Sequence, residues 1–419
     1  MKATSPRRDF LRKLIAGSAA AMALPSIAMA TPAADITSPA DPSDERYWEM
    51  IKRQFAVPSH LIMMNAANLC PSPYAVTRVV QETLTDLSQD VSFQFRDKFD
   101  VIRVTSLQKL SGYLGVSADE LCITRNTSEG NNIIVNGFDL KPGDEVVLWD
   151  ENHESNLLSW EHRAKRVGFV VKKVTLPAAP SGREEIIQLF QKAFTAKTRV
   201  VAFSHISNHN AIVIPAKEIC ALARSRNILS HVDGAQSFGF MDLNLTDLGC
   251  DSYAGSMHKW LMGPFENGVL YVRKEALARL WPQIISAGWA EANKKADPWL
   301  GILGQRNEAT PAAIPEAIDF HMTIGKAAVE TRVRQLNRYL RSELTAKVKG
   351  VSFISPEPLT ANITMFNVPN KTSLQVYTDL YKSYGIASAP MAGVRLSPNI
   401  YNTMADIDRV VEAVGKIAG

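Results

Sequence analysis

This chain has few cysteines and a small net charge, and both facts argue against some kinds of binding site. Its 419 residues include four cysteines, and no two of them form the Cys-x-x-Cys pair typical of zinc sites, so we expect no metal. No apolar run beyond residue 30 is long enough to span a membrane, so we expect no stable membrane anchor. Buried thiols rather than disulfides are expected at the four cysteines, which are Cys70, Cys122, Cys220 and Cys250.

The net charge of +4 belongs entirely to the first thirty residues. They carry five basic residues and one acid, and removing these from the 46 basic and 42 acidic residues of the chain leaves 41 of each. The remainder is therefore neutral, and nothing in its charge favours a nucleic-acid partner.

The first thirty residues also have the features of an export signal. The run 5–13 contains Arg7 and Arg8 and resembles a twin-arginine signal, and the apolar stretch after it ends in the small-x-small sequence Ala28-Met29-Ala30. A basic amphipathic N-terminus and a membrane anchor are the alternatives, but the apolar stretch is short and rich in alanine and glycine. We therefore expect the twin-arginine export machinery to carry the folded protein to the periplasm and residues 1–30 to be removed.

Strands and helices alternate from about residue 117, and helical patterns such as Ala216–Arg226 lie between several of the strands. This alternation predicts an α/β fold with a mostly parallel, seven-stranded sheet sandwiched by helices. The predicted strands are Glu120–Thr124, Glu145–Trp149, Phe169–Leu176, Arg199–Ser204, Ile228–Val232, Asp251–Ser256 and Gly268–Val272.

The pattern changes near residue 312, where long helices are followed by two short strands, Val351–Ile354 and Ala361–Asn367, and a last helix, Met404–Ala418. This change predicts a smaller α+β C-terminal domain. The expected order is a signal at 1–30, an N-terminal leader and arm at 31–75, a large domain at 76–311 and a small domain at 312–419.

An acid and an amine each follow one of the predicted strands. Asp233 lies in His231-Val-Asp-Gly-Ala-Gln236, and Lys259 lies in Ser256-Met-His-Lys-Trp260. Ligands of open α/β sheets bind at the carboxyl ends of the strands. The amine can form a Schiff base with the aldehyde of pyridoxal 5′-phosphate, and the carboxylate can keep its pyridine nitrogen protonated. The large domain is therefore predicted to bind pyridoxal 5′-phosphate.

Other strand ends carry polar residues with both a functional and a plainer interpretation. Thr127 and Ser128 begin a helix and suit a phosphate group, but hydroxyl residues are also ordinary helix caps. His153 suits stacking on a cofactor ring or a hydrogen-bonded loop, and Asn208 suits a contact to the cofactor's phenolic oxygen or a turn.

Four further residues complete this candidate set. Gln236 lies three residues after Asp233 and can reach the same phenolic oxygen, while Ser256 and His258 flank the lysine and can hold the phosphate. Arg395 can clamp a substrate carboxylate, although an isolated arginine is usually a surface residue. Successive strand ends thus carry phosphate donors, a ring stacker, an amide, an acid and an amine.

The chain resembles the class V aminotransferases, the family that includes cysteine desulfurases, selenocysteine lyases and isopenicillin N epimerases. The similarity covers roughly residues 60–415, and the stretches around Asp233 and Lys259 are the most specific. The matching stretches are Asn65-Ala-Ala67, Thr124-Arg-Asn-Thr-Ser-Glu-Gly130, Lys141-Pro-Gly-Asp-Glu-Val-Val147, Ser204-His-Ile-Ser-Asn208, His231-Val-Asp-Gly-Ala-Gln236, His258-Lys259 and Tyr401-Asn-Thr403.

The resemblance implies a fold-type I homodimer with its active site at the subunit interface. It makes Lys259 the Schiff-base lysine, Asp233 the partner of the pyridine nitrogen and His153 the ring stacker. Arg395 becomes the carboxylate anchor, with Asn65 beside it as a substrate-binding residue. The remaining implied cofactor contacts are Asn208 and Gln236 at the phenolic oxygen, and Thr127, Ser128, Ser256 and His258 at the phosphate.

Two departures from the family pattern bear on activity. Desulfurases carry a nucleophilic cysteine on a loop shortly before the carboxylate-binding arginine, and here residues 385–393 contain none. This predicts that the protein does not transfer sulfur through a persulfide. Family members often have a threonine before the Arg306-Asn307 position that reaches the partner subunit's phosphate, and here the residue is Gln305.

The expected function is transamination of an amino acid or an amino-acid-derived small molecule, such as a siderophore peptide. A C–S lyase or an amino-acid epimerase is the alternative, because the same α-carbanion can lose a β-substituent or be reprotonated. A non-catalytic exported binding protein is a third interpretation, against which the intact Asp233, Lys259 and His153 argue. The sequence leaves open the substrate and the fate of the carbanion.

Overall fold

The computed structural model describes residues 41–287, 289, 295–354 and 356–419. The predicted export signal and the start of the leader lie outside the described residues. Within that part of the chain, none of the helices combines the length and the apolar composition needed to cross a bilayer.

The described strands are short, and most lie where the sequence predicts them. They are β1 (Ile62–Met63), β2 (Leu121–Thr124), β3 (Glu145–Trp149), β4 (Val170–Val174), β5 (Thr198–Ser204), β6 (Leu229–Asp233), β7 (Ser252–Ser256), β8 (Gly268–Val272), β9 (Ser352–Phe353), β10 (Thr364–Asn367), β11 (Ile386–Ala387), β12 (Ala389–Pro390) and β13 (Val394–Leu396).

Helices separate most of these strands, and two 3₁₀ turns lie at Ala118–Glu120 and Glu357–Leu359. The described α-helices are α1 (Glu45–Lys52), α2 (Tyr74–Gln89), α3 (Phe93–Arg96), α4 (Lys98–Leu114), α5 (Thr127–Gly137), α6 (Glu154–Val167), α7 (Arg183–Ala193), α8 (Ala216–Ser225), α9 (Leu245–Leu248), α10 (Lys274–Leu277), α11 (Ala296–Leu300), α12 (Ala309–Ala312), α13 (Ile314–Ile324), α14 (Lys326–Lys347), α15 (Ser373–Tyr384) and α16 (Met404–Ala418).

Seven strands form one sheet in the order β2-β8-β7-β6-β5-β3-β4. Among them β8 alone runs antiparallel to its neighbours, and the other pairings are parallel. The predicted mostly parallel, seven-stranded α/β sheet is therefore confirmed. Parallel strands place their carboxyl ends at one edge, which brings the ends of β3, β5, β6 and β7 together.

Both faces of this sheet are buried, because alternate residues of each strand pack into different hydrophobic clusters. In β3, Val147 and Trp149 pack with residues of α4, α7 and α8, whereas Val146 and Leu148 pack with residues of α5 and α6. This explains the near-continuous apolar runs of these strands in the sequence.

The C-terminal part contains a second sheet, of order β12-β13-β10-β9, and its own apolar cluster from α14, α15 and α16. Residues from the N-terminal segment join this cluster, because β1 pairs in parallel with β11 and Ile62 and Met64 are buried there. The strands β1, β11, β12 and β13 are too short to give a periodic signal, and the sequence did not predict them.

Candidate active site

The polar residues predicted at the strand ends gather at one edge of the large sheet. Asp233 is the last residue of β6, and Ser256 is the last residue of the neighbouring strand β7. His153 begins α6 beyond the end of β3, and Lys259 lies in the turn three residues after β7. The parallel register makes these chain segments neighbours, although they are up to about a hundred residues apart in sequence.

Asp233 is buried and its carboxylate is held by two N–H donors. Its Oδ1 accepts a hydrogen bond of 3.0 Å from the backbone N–H of Ala235, and its Oδ2 accepts one of 2.8 Å from Nδ2 of Asn131. Both donors hold the carboxylate in place, where it can act as the acceptor for a ring N–H.

The Lys259 amine is placed to react. Within the described part of the chain no residue forms a hydrogen bond to its Nζ. Burial lowers the pKa of this amine to about 8, with nearby Arg395 acting in the same direction and Asp233 opposing the shift. A sizeable neutral fraction near pH 8 is what a nucleophilic or basic lysine requires.

His153 stands at the N-cap of α6 with its ring fixed from one side. Its Nδ1 accepts a hydrogen bond of 3.2 Å from the backbone N–H of Ser155 and lies 2.9 Å from the hydroxyl of that residue. The side chain is 42 % exposed, so a ring face remains available for stacking. Burial lowers its pKa, Asp233 opposes this shift and Lys259 adds to it, which places the imidazole within the field of both groups.

The start of α5 forms the phosphate end of the site. Asn126 caps this helix by accepting the backbone N–H of Glu129, so capping does not use the hydroxyls of Thr127 and Ser128. The hydroxyl of Ser256 accepts the Thr127 N–H at 2.9 Å and lies 2.7 Å from Thr127 Oγ1. The hydroxyls of Thr127 and Ser128 lie at a helix N-terminus, with that of Ser256 beside Thr127, which is an anion-binding arrangement.

His258 lies next to this group and is half-buried. Burial, and then the neighbouring Lys259, lower the pKa of its imidazole to about 4. It is therefore neutral at physiological pH and can offer a hydrogen bond rather than a charge to a phosphate.

The side-chain amide of Gln236 is held at both ends. Its Nε2 donates to the carbonyl of Ala67 at 2.9 Å, and its Oε1 accepts from Nε1 of Trp260 at 2.8 Å. One amide hydrogen remains free of these contacts, as the predicted phenolic-oxygen contact requires. Asn208 is also buried, and its backbone carbonyl accepts a hydrogen bond of 3.3 Å from Arg395.

Arg395 is buried in β13 and is not a surface residue. Its guanidinium donates to Asn65 Oδ1 at 3.2 Å and to Asn208 O, while its Nε is buried and has no hydrogen-bond partner among the residues that the structure describes. Burial lowers its pKa to about 10. A buried cation with an open donor and only neutral partners suits an anionic group such as a carboxylate.

Two side chains at this site, one bonded to Asp233 and one close to Lys259, were not among the predicted site residues. Asn131 lies four residues after Thr127 on the same face of α5, which is a spacing that could have identified it. Cys70 donates its backbone N–H to the carbonyl of His258, and its thiol accepts hydrogen bonds from Asn399 Nδ2 at 3.5 Å and Tyr401 Oη at 3.4 Å. All four cysteines are free and buried, as predicted.

Gln305 is exposed and accepts a hydrogen bond of 3.1 Å from Arg96. It therefore has a contact in its own chain at the position where family members often have threonine. Among the described residues, no group of three or more histidine, cysteine or acidic side chains is arranged to hold a metal ion.

The donor set fits pyridoxal phosphate on its own chemistry. The cofactor's aldehyde is matched by an amine that no described residue bonds, and its ring nitrogen by a carboxylate with two N–H donors. Its ring is matched by an imidazole with an open face, and its phosphate by hydroxyls at a helix start. Arg395 Nε, which is unbonded within the described part of the chain, adds a place for the carboxylate of a substrate.

Known proteins are similar to this chain over most of its length. The chain is 28% identical over 396 residues to isopenicillin N epimerase of Amycolatopsis lactamdurans, covering 88% of this chain and 98% of the relative. It is 29% identical over 331 residues to cysteine desulfurase of Salmonella agona, covering 72% and 78% respectively.

Solved structures show the same fold. The apo cysteine desulfurase of Thermococcus onnurineus superimposes with a TM-score of 0.79 at 21% identity, covering 88% of this chain and 98% of that one. The cystine C–S lyase C-DES, in complex with its product cysteine persulfide, gives a TM-score of 0.77 at 20% identity, covering 84% and 97%. The predicted fold type I is therefore confirmed.

The family model for aminotransferase class-V matches residues 70–410, which is most of the chain. With it the predicted cofactor, pyridoxal 5′-phosphate, is confirmed. The chain belongs to the aminotransferase class-V family.

Proposed function

We propose that this protein is a periplasmic enzyme that transfers the amino group of an amino acid or an amino-acid-derived molecule. The observation that carries the proposal is the Lys259 amine, which has no hydrogen-bond partner among the described residues and a pKa lowered to about 8 beside Asp233 and Arg395. The export motif at residues 5–13 supports the periplasmic location.

Each residue of the site has a task in such a reaction. Bound pyridoxal phosphate supplies an electron sink for the negative charge that develops at the substrate's α-carbon. Lys259 would be released when the substrate's amino group takes its place on the cofactor. The free amine would then remove the α-proton as a general base and would deliver it to the carbon that carried the cofactor's aldehyde. Arg395 would bind the substrate carboxylate, Asp233 would accept the ring N–H, and His153 would cover one face of the ring and exclude water there.

A lyase or epimerase activity is the second candidate, and the named relatives favour it. Isopenicillin N epimerase aligns over nearly its whole length, and the structural neighbours include a cystine C–S lyase. Both activities begin with the same removal of the α-proton by Lys259. They differ in whether the β-substituent leaves or the proton returns to the opposite face of the α-carbon.

One experiment separates these candidates. The purified enzyme is incubated in D₂O with amino acids and short peptides, with and without a keto-acid acceptor, and the products are analysed by mass spectrometry and chiral chromatography. Amino-group transfer that requires the acceptor supports the proposal. Deuterium uptake with inversion, or loss of the β-substituent without an acceptor, would replace it with the second candidate.

The role of Lys259 is tested by reduction with borohydride. We expect Lys259→Ala to lose the borohydride-fixed cofactor that the wild type retains, whereas Lys217→Ala, at an exposed lysine paired with Asp247, should keep it. A fixed adduct in the Lys259 variant would mean that another lysine anchors the cofactor.

Sulfur transfer through a persulfide is expected to be absent, because residues 385–393 contain no cysteine. Brisk sulfide release that survives replacement of all four cysteines by serine would indicate β-elimination and favour the lyase. Release abolished by replacing one cysteine alone, in a folded and cofactor-loaded protein, would show that a cysteine elsewhere in the chain acts as the nucleophile.

A further inference from the structure

A chain of buried hydrogen bonds lies behind Asp233. Asn131 Nδ2 donates to Asp233 Oδ2 at 2.8 Å, Asn131 Oδ1 lies 3.0 Å from His231 Nε2, and His231 Nδ1 lies 2.9 Å from Ser252 Oγ. Asn131, His231 and Ser252 are fully buried, and Asp233 is nearly so. We call the hydrogen-bonded series Asp233–Asn131–His231–Ser252 the relay. Asn131, His231 and Ser252 come from α5, β6 and β7, so only the folded chain assembles it.

The direction of every hydrogen bond in the relay follows from the carboxylate. Ionised Asp233 can only accept, so the Asn131 amide must turn its N–H₂ group toward it and its oxygen toward His231. His231 must therefore carry its proton on Nε2, and its Nδ1 then accepts from the hydroxyl of Ser252. That hydroxyl has a second acceptor in the Ser230 carbonyl at 3.5 Å, which is the longer and weaker alternative.

The charge state of His231 agrees with this assignment. Burial lowers the pKa of its imidazole to about 4, against the opposing effect of Asp233, so the ring is neutral with a single N–H. A neutral ring donates in one direction only, and this locks the Asn131 amide in the orientation that presents a donor to Asp233.

We propose that Asn131 is a positioning residue whose amide, oriented by His231 and Ser252, keeps Asp233 ionised and aligned with the ring nitrogen of the cofactor. The proposal rests on Asp233 facing that nitrogen, and it does not depend on which amino substrate is used. Asn131 also ties this end of the site to the phosphate end, because Thr127 lies one helical turn earlier on the same face of α5.

Loss of the amide donor has a predictable electrostatic consequence. With one donor fewer to its carboxylate, Asp233 would be a weaker partner for a protonated ring nitrogen, and the balance would shift toward a neutral pair with the proton on the carboxylate. The ring then loses its positive charge, and the nitrogen that joins the cofactor to Lys259 holds its own proton more tightly. The pKa of that nitrogen, which the absorbance of the bound cofactor reports, should therefore rise.

The test is an absorbance titration of the cofactor-loaded protein against pH, which requires no substrate. We expect Asn131→Leu and His231→Leu each to raise the midpoint by about one pH unit or more. His231→Gln, which keeps an N–H toward Asn131, should titrate within a few tenths of a unit of wild type. Asn337→Leu is the matched control, because Asn337 is a buried asparagine bonded to Ala361 and Thr364.

Wild-type midpoints in folded, loaded Asn131→Leu and His231→Leu would overturn the proposal and leave Asn131 and His231 as packing residues. A shift in Asn337→Leu as large as that in Asn131→Leu would also overturn it. If Asn131→Leu does not fold, Ser252→Ala removes a single oxygen and frees the His231 proton to move. Ser252→Ala should also raise the midpoint, but by less than Asn131→Leu. An unchanged midpoint in Ser252→Ala would contradict the relay. The titration remains informative if the amino-transfer proposal fails, since it reads only the resting protein.

Discussion

At the residue scale, the site depends on groups held out of their ordinary protonation behaviour by burial. Lys259 and Arg395 are both cations whose pKa burial lowers, and the nearby carboxylate of Asp233 opposes this at the lysine. The pKa of the amine is about 8, so a fraction of it is neutral and reactive near neutral pH. The pKa of the guanidinium is about 10, so it stays charged and available for a carboxylate.

The lowered pKa of Lys259 predicts a specific pH dependence. Below pH 8 the amine is mostly charged and unreactive, and at pH 7 roughly one molecule in ten carries it neutral, far more than for a free lysine. The rate of covalent attachment of pyridoxal phosphate to the apo protein should therefore rise with pH and level off above about 8. Stopped-flow absorbance measures this attachment rate at each pH. The same reaction with Nα-acetyl-lysine serves as the reference, because it shows the part of the pH dependence that comes from the cofactor itself. A rise that continues to pH 10.5 would contradict the assigned pKa.

Asp233→Asn should keep the cofactor but lose most turnover. The amide can hydrogen-bond to the ring nitrogen, but it cannot hold that nitrogen as a cation, and losing one such electrostatic contact costs on the order of a hundred- to a thousandfold in rate. The measurement is single-turnover decay of the enzyme–substrate complex. A variant within about threefold of wild type would make Asp233 a strand-end residue with no role in the chemistry.

Asp233→Asn should also change how the cofactor attaches. Because Asp233 raises the pKa of the Lys259 amine, this variant should attach the cofactor at lower pH than wild type.

At the scale of elements, the first described helix is fastened to the C-terminal part by two ion pairs, each with one buried partner. Arg332 of α14 has a side chain only 1% exposed, forms two hydrogen bonds to Glu45 of α1 and lies over the ring of Trp48. Lys52 at the other end of α1 bonds to Asp406 of α16. Burial opposes ionisation of Glu45, but hydrogen bonds from Arg332 and the Met404 N–H outweigh it and leave its pKa below the ordinary value.

Glu45→Gln should lower the free energy of unfolding by roughly 1–3 kcal/mol, because it leaves the buried Arg332 without a counter-charge. Breaking a fully buried ion pair costs about 3–5 kcal/mol, and we expect less here because the Glu45 side chain is 36% exposed. Urea denaturation measures the change, and Glu412→Gln, in an exposed pair with Lys416, should have no measurable effect. Since the pKa of Glu45 is lowered, the difference between wild type and Glu45→Gln should be present at pH 7 and should be lost as the pH falls through that lowered pKa. Equal stability at pH 7 would mean that Arg332 is held by its other contacts.

At the scale of the whole molecule, we propose a homodimer, as the family resemblance implies. The segment from α2 to α4 supports it, because it exposes large apolar side chains: Phe93 is 79% exposed, Val91 71% and Val101 68%. Apolar side chains grouped along one segment favour a protein partner. We expect the wild type to sediment as a dimer and Phe93→Ser with Val101→Ser to sediment as a folded monomer. A double variant that remains dimeric would place the interface elsewhere.

Export is the second whole-molecule prediction. Arg7→Lys together with Arg8→Lys should leave the precursor in the cytoplasm, because the twin arginines are the feature that the export machinery reads. Cell fractionation measures this, and cofactor bound to the trapped precursor would show that loading precedes export. Periplasmic protein at the normal rate in the double variant would remove the twin-arginine interpretation.

The sequence by itself determined the large sheet and the residues at its edge. Runs such as Glu145–Trp149 and Gly268–Val272 are apolar and short enough to identify as buried strands, and their bounds agree with the structure. Asp233 and Lys259 lie in or just after such runs, and local pattern therefore located them without knowledge of any long-range contact.

The tertiary structure alone decided how distant segments meet. Asn65 and Arg395 are 330 residues apart, and their contact depends on the pairing of β1 with β11, which are two residues long and carry no periodic signal. The alignment of Asn131 with Asp233 and His231 likewise depends on how closely α5 packs on the sheet, where a Cβ on Gly130 would come within 2.9 Å of Ala254. Hydrogen bonds of this kind form only when packing brings distant segments within about 3 Å of each other. A local sequence pattern predicts a strand or a helix, but it does not give the distance between two of them.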